Sequence, residues 1–192
     1  MSKKQAILKA ATRLFSQKGF KDASMAELSK ITGVAQGTIF YHFKNKEELF
    51  ISILEEFKVS ITEEFERYVG EKRFETGIDM IEDVVSFYLY LAGAMEDWFL
   101  LLYRHEAYEF ARVNPVYREC LEAIYNCLAD IFEQAILRGQ KDGSIADVPV
   151  RKTALLLFAM VDGVIRFNVY ELYDAGTLYN DLIAACRKIL KK

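Results

Sequence analysis

An all-helical fold is predicted, a three-helix head containing a helix-turn-helix joined by a fourth helix to a larger helical body, about nine helices in all. Three observations predict it. Only two prolines, Pro115 and Pro149, interrupt 192 residues, which leaves room for long helices. Apolar residues recur three and four positions apart, with almost no strand punctuation. Two short capped segments flank Gly33 at the spacing of a helix-turn-helix. With 52% hydrophobic and 28% charged residues, the chain is neither disordered nor collagen-like, and it is long enough to bury a core without disulfide or metal staples.

Each element has its own signal. Ile7, Leu8, Ala11, Leu14 and Phe15 share one face of a first helix that Gly19 can end. Ser24, with Glu27 three residues on, reads as a capping box that starts a second helix near Met25. That helix runs about two turns with Leu28 and Ile31 inward, until Gly33 permits the sharp reversal. A third short helix begins near Gln36. Its Ile39 and Phe43 can pack inward, leaving Gln36, Gly37, Thr38, Tyr41 and His42 on the outer side. Asn45, with Glu48, caps a fourth helix carrying Leu49, Phe50, Ile53, Leu54, Phe57, Ile61, Phe65 and Tyr68. Five further helices are expected at 78–92, 96–112, 115–138, 150–173 and 177–190, with 139–149 as a loop. Pro115 suits a first helical turn, where its missing N–H has no partner anyway.

Charge divides the chain where the elements do. Residues 1–46 hold nine bases against two acids, Asp22 and Glu27, a balance of +7, whereas 47–192 hold sixteen bases against twenty-six acids, a balance of −10. Two domains are therefore expected, a basic head at 1–46 and an acidic body at 47–192. A basic head suits a phosphate-rich partner, while an acidic body argues against wholesale coating of nucleic acid. The apolar uncharged stretches 84–95 and 153–161 fall short of the roughly 20 residues of a membrane span, so no membrane partner is expected. Residues 1–10 lack an apolar core and a small-residue cleavage site, and a cytoplasmic location is the expectation. Cys120, Cys127 and Cys186 are odd in number and form no Cys-x-x-Cys pair; they read as buried thiols.

The outer face of the third helix is polar and free of acids, and a helix of this size fits a major groove about 12 Å wide. Gln36 can make a bidentate contact to adenine, Thr38 can bond a base or touch a thymine methyl, and Gly37 permits close backbone approach. Tyr41, His42, Lys44 and Lys46 sit where phosphates pass, beside the positive dipole end of the fourth helix.

The run from Ser24 to Leu49, SMAELSKITGVAQGTIFYHFKNKEEL, resembles the DNA-binding signature of TetR-type bacterial transcriptional regulators, and the likeness reaches back through Ile7, Ala10, Leu14, Phe15, Gly19 and Phe20. The resemblance implies a homodimer on a palindromic operator in double-stranded DNA, repression as the common mode, and a body that encloses a small-molecule effector. It implies base-facing roles for Gln36, Gly37 and Thr38 and phosphate contacts for Ser24, Tyr41, His42 and Lys46. Phe40 departs from the family, which often has Tyr there, so its contribution would be apolar. The last two helices are implied to form a four-helix dimer interface, with Leu155, Phe158, Gly163, Ile165, Leu182 and Cys186 expected in it.

For the effector, the sequence offers an aromatic-rich middle. Phe87, Leu91, Trp98, Phe99, Leu102 and Tyr125 can line a pocket for a lipophilic or aromatic molecule as readily as they fill a core. His105, Asp162 and Arg166, with Arg104 and Glu106, lie in otherwise apolar helices and are candidates to orient a polar group. Asp162-Gly163 stands out because glycine in a helix centre costs about 1 kcal/mol and marks close approach by a ligand or a partner.

No catalytic residue, metal or cofactor is called for. His105-Glu106-Ala107-Tyr108-Glu109 approaches a zinc-protease helix but has Glu where the second His belongs, and the phosphate-loop and nucleophile-elbow patterns do not occur. The alternative to a DNA-binding regulator is a helical protein-interaction module, its basic head docking on an acidic protein without any DNA sequence preference.

Overall fold

A computed structural model describes residues 2–70 and 72–191; Met1 and Lys192, the ends of the expected domain ranges, and Glu71 lie outside the described residues. Ten α-helices and no strands occur among the described residues: α1 (Lys3–Lys18), α2 (Met25–Thr32), α3 (Gln36–His42), α4 (Lys46–Gly70), α5 (Gly77–Ala94), α6 (Glu96–Tyr103), α7 (His105–Val113), α8 (Pro115–Asp142), α9 (Val150–Val169) and α10 (Tyr179–Leu190). A short 3-10 helix, Ala175–Leu178, precedes α10. The all-helical class is as expected.

The helices form two compact units, one running to Ser60 with Met95–Ile124 added, the other comprising Ile61–Ala94 and the chain from Tyr125 onward. In the first, Phe15, Phe20, Phe50 and Phe110 make a cluster in which Phe20 lies 5.3 Å from Phe50 and 4.8 Å from Phe110. Leu28, Ile39 and Phe43 close the core under α2 and α3. In the second unit, Tyr88 of α5 packs between Phe132 of α8 at 6.0 Å and Phe158 of α9 at 5.7 Å. These packing units differ from the 1–46 and 47–192 ranges, which rest on charge and motif.

Several expectations need correction. The helix expected at 96–112 is two helices, because Arg104 is extended, with φ −66° and ψ 141°. The loop expected from 139 begins four residues later: Gly139 is helical, and a Cβ there would fall on the side chain of Ile145, while one on Gly77 would fall on the Gly139 backbone. Gly139 thus marks a close crossing of α5 and α8 and does not end the helix, which turns at Gly143 with φ 80°. Asp142 caps the start of α5, accepting from Gly77 N at 2.7 Å, and the bonds from Ser144, aided by this one, hold its carboxyl below the usual range. Helix α9 ends at Val169, where Glu171, at φ 54°, turns the chain. Ile31 is not inward: α2 rests on Leu28, and Ile31 is 56% exposed. Of the three cysteines only Cys186 is buried, which pushes its thiol up to about 11; Cys120 and Cys127 are half-buried. No described helix is long and apolar enough to cross a membrane by itself.

Candidate nucleic-acid interface

The turn between α2 and α3 is built from inside. Gly33 is left-handed at φ 68°, a conformation that costs glycine little. Ser29 Oγ donates to the Val34 carbonyl at 2.7 Å, and Thr32 Oγ1 donates to the Leu28 carbonyl at 2.7 Å while accepting from Val34 N at 3.3 Å. With the turn fixed and Ile39 fully buried, the outer side of α3 is determined.

That side carries the residues the sequence singles out. Gln36, Gly37, Phe40 and Tyr41 are exposed, and Thr38 and His42 are half-buried. Tyr41 is 84% exposed, its ring meeting His42 edge-on at 5.3 Å, so packing in the fold does not account for a tyrosine there. A Cβ on Gly37 would meet nothing within 4 Å; the fold does not require glycine at that position. Ser24 caps α2, its Oγ accepting from Glu27 N at 3.1 Å, whereas the Glu27 carboxylate accepts from Lys18 at 2.8 Å. Met25 is half-buried beside it.

At the far end of α3, Asn45 Oδ1 accepts from Glu48 N at 2.7 Å and Glu48 Oε2 accepts from Lys44 N at 2.9 Å, so the start of α4 is capped by the chain itself. The Lys44 side chain is exposed. Lys46 is not: its Nζ donates to the carbonyls of Phe20, Lys21 and Ala23 at 2.6, 3.3 and 2.9 Å and sits 4.4 Å above the Phe20 ring. Lys46 thus points away from the position expected of a phosphate contact. Arg104, expected to orient an effector, donates instead to the carbonyls of Ser16 and Gln17 at 2.9 and 2.8 Å. Neither role is readable in sequence, because the partners are main-chain carbonyls placed by the fold.

The expected effector residues divide between the units. Trp98, Phe99, Leu102 and His105 lie in the first; Phe87, Leu91, Tyr125, Asp162 and Arg166 lie in the second. Phe87, Leu91, Phe99 and Leu102 are wholly buried, and Trp98 stacks on Phe57 at 5.1 Å. The polar candidates lie apart from these. The His105 side chain is 81% exposed on the surface of α7, 3.3 Å from Glu109, which Lys21 holds below the usual carboxylate range. Asp162 and Arg166 pair with each other at 3.6 Å, one turn apart on α9. A cavity of about 210 Å³ in the first unit is lined by Leu54, Glu55, Lys58, Glu119, Cys120 and Ala123, and one of about 210 Å³ in the second by Leu89, Ala92, Ile165, Asn168, Ala175 and Gly176. Both are smaller than the roughly 300 Å³ at which drug-sized sites begin, and neither is lined by the expected effector set.

The expected dimer residues divide differently. Phe158, Ile165, Leu182 and Cys186 are buried within the second unit and are corrected to core. Leu155 is exposed and Gly163 half-buried, on a face of α9 that also presents Leu156, Ala159 and Phe167. Periodicity identifies both apolar faces of α9 without saying which one the protomer covers.

A capped helix, a glycine turn and a short helix with a polar, acid-free outer face define a helix-turn-helix DNA-binding protein. Residues 7–53 match the bacterial regulatory proteins of the tetR family. The fatty acid metabolism regulator protein of Bacillus subtilis is 25% identical over 180 residues, covering 92% of this chain and 90% of that protein. The transcriptional repressor AcnR of Corynebacterium efficiens is 28% identical over 167 residues, covering 86% and 81%. Among solved structures, the regulator FadR of Bacillus subtilis in complex with stearoyl-CoA superposes with a TM-score of 0.78 at 22% identity, over 97% of this chain and 99% of that one. Residues 7–53 thus form a head of the tetR regulatory type, and the chain as a whole is similar to transcriptional regulators that carry it.

Proposed function

We propose that this protein is a ligand-responsive repressor, binding a palindromic operator as a homodimer through α3 and released from it by a small lipophilic or aromatic effector. The observation that carries the reading is the outer face of α3, where Gln36, Gly37, Phe40 and Tyr41 stand in solvent without a packing role. Gln36 and Thr38 supply the hydrogen bonds that read base edges, and the exposed Lys44 with Tyr41 and His42 supplies phosphate contacts. The homodimer is supported by the uncovered apolar face of α9. Repression is supported by likeness to AcnR, and a lipophilic effector by likeness to a regulator that binds stearoyl-CoA, which makes a long-chain acyl thioester the first compound to try.

Selection from a random double-stranded DNA library at about 150 mM salt tests the reading, since that salt penalises purely electrostatic binding. An enriched palindrome is expected, with half-sites spaced by the separation of two α3 helices. Titration of the bound complex with acyl thioesters should then release the DNA, and DNA should weaken the effector by the same factor. Folded, effector-free protein that enriches no sequence would favour the protein-interaction module instead.

A further inference from the structure

A helix end leaves four carbonyls without intrahelical partners, and a loop leaves more. At the end of α1 and in the loop that leads to α2, five such carbonyls are taken by two cations from elsewhere in the first unit. Arg104, at the break between α6 and α7, donates Nε to Ser16 O and Nη2 to Gln17 O. Lys46, the first residue of α4, donates Nζ to Phe20 O, Lys21 O and Ala23 O. An ammonium has three donors, and these three carbonyls occupy all of them. Gly19, between the two sets, has φ 90°, which a side chain would strain, and a Cβ there would lie 2.8 Å from Glu106 Oε1 and 3.2 Å from Arg104 Nη1 and so crowd the guanidinium. Ser16 Oγ adds a 2.7 Å bond to Asp97 of α6.

We propose that Lys46 and Arg104 are positioning residues for DNA recognition: they clamp the main chain of residues 16–23 and thereby set where α2 and α3 are held, and neither places its charge on a phosphate. The inference rests on the DNA-binding reading above. Ala23, the last clamped residue, immediately precedes Ser24, the cap of α2. Binding groups must be held within about 0.5 Å of their productive geometry, so a loosened 16–23 segment weakens every base contact at once. It does not change the number of phosphates neutralised, which is what the dependence of affinity on salt counts.

The test compares full-length wild type with Lys46→Gln, Arg104→Gln and, as a phosphate control, Lys44→Gln, each titrated with the selected operator across a salt series. Lys46→Gln and Arg104→Gln should each lose about tenfold in affinity or more, the scale of losing hydrogen bonds from a charged donor, with the salt slope of wild type. Lys44→Gln should lose affinity with a slope smaller by about 1.8, about 0.9 for each protomer of the bound dimer. A slope reduced by about 1.8 in Lys46→Gln overturns the assignment for Lys46, and wild-type affinity in Arg104→Gln overturns it for Arg104. Should a glutamine variant fail to fold by circular dichroism, Lys46→Arg or Arg104→Lys, which keep the charge and change its geometry, is read by affinity: a loss of about tenfold or more supports the clamp, since a phosphate contact accepts either cation, and wild-type affinity overturns it. Amide hydrogen exchange over residues 18–24, measured without DNA, should rise about tenfold in Lys46→Gln and stay unchanged in Lys44→Gln. That readout holds even if no operator is found, so failure of the DNA-binding reading and failure of the clamp are distinguishable; unchanged exchange in Lys46→Gln overturns the clamp.

Discussion

Glycines separate what the fold demands from what a partner demands. Gly19 and Gly33 have positive φ, and Gly77 and Gly139 have neighbours where a Cβ would go, so the chain itself requires them. Gly37 and Gly163 sit in helices with nothing within 4 Å of that position. Helical glycine is less stable than alanine by up to about 1 kcal/mol, and here nothing inside the protomer compensates. Gly37→Ala should therefore leave the melting temperature unchanged or slightly raised while operator affinity falls about tenfold or more, because the new methyl stands between helix and DNA. Wild-type affinity in that variant would remove Gly37 from the DNA surface. The outer face of α3 was legible in sequence because three- and four-residue spacing around Ile39 and Phe43 left one polar side. Lys46 and Arg104 were not legible, since a cation near a helix end looks the same whether it meets a phosphate or a carbonyl.

Helices were legible at their ends where a local signal exists and illegible where a tertiary contact decides. Ser24, Asn45 and Gly33 mark boundaries through bonds or dihedrals made within a few residues. The break at Arg104 depends on carbonyls 87 and 88 residues away, and Gly139 stays helical because Gly77 and Ile145 close on it. Helix α9 shows the limit of periodicity: Leu157, Phe158, Val161 and Ile165 face the core, while Leu155, Leu156, Ala159 and Phe167 face outward. If the outward face joins two protomers, Leu156→Asp, at a residue 61% exposed, should yield monomers in sedimentation velocity with unchanged helix content. Ile165→Asp, which buries an unpaired charge, should lose the fold instead, at a cost of several kcal/mol. Persistence of the dimer in Leu156→Asp would move the interface off α9.

Across the whole molecule, the basic head is a division by charge and not by packing. Residues 7–53 carry the family match, yet the aromatic core beneath them is completed from far along the chain. Phe110 lies 4.8 Å from Phe20 and 6.0 Å from Phe50, Tyr117 lies 5.6 Å from Phe50, and Trp98 and Phe99 cover Phe57. Tyr117 also donates to the Glu47 carbonyl at 3.2 Å, and its burial raises the phenol's pKa. A chain of about 60 residues buries only about 60% of its unfolded surface and is marginal even with its core intact. A fragment ending at Ser60 should accordingly show no cooperative thermal transition and should bind a hydrophobic dye, whereas the full chain melts cooperatively. The same contacts make α6, α7 and the first turns of α8 part of the body that carries α3, so a displacement of those helices is a displacement of the reading helix, with no separate relay required. A fragment that melted cooperatively and kept the full chain's sequence preference would show that the head stands alone, and would remove the packing route by which an effector is proposed to release DNA.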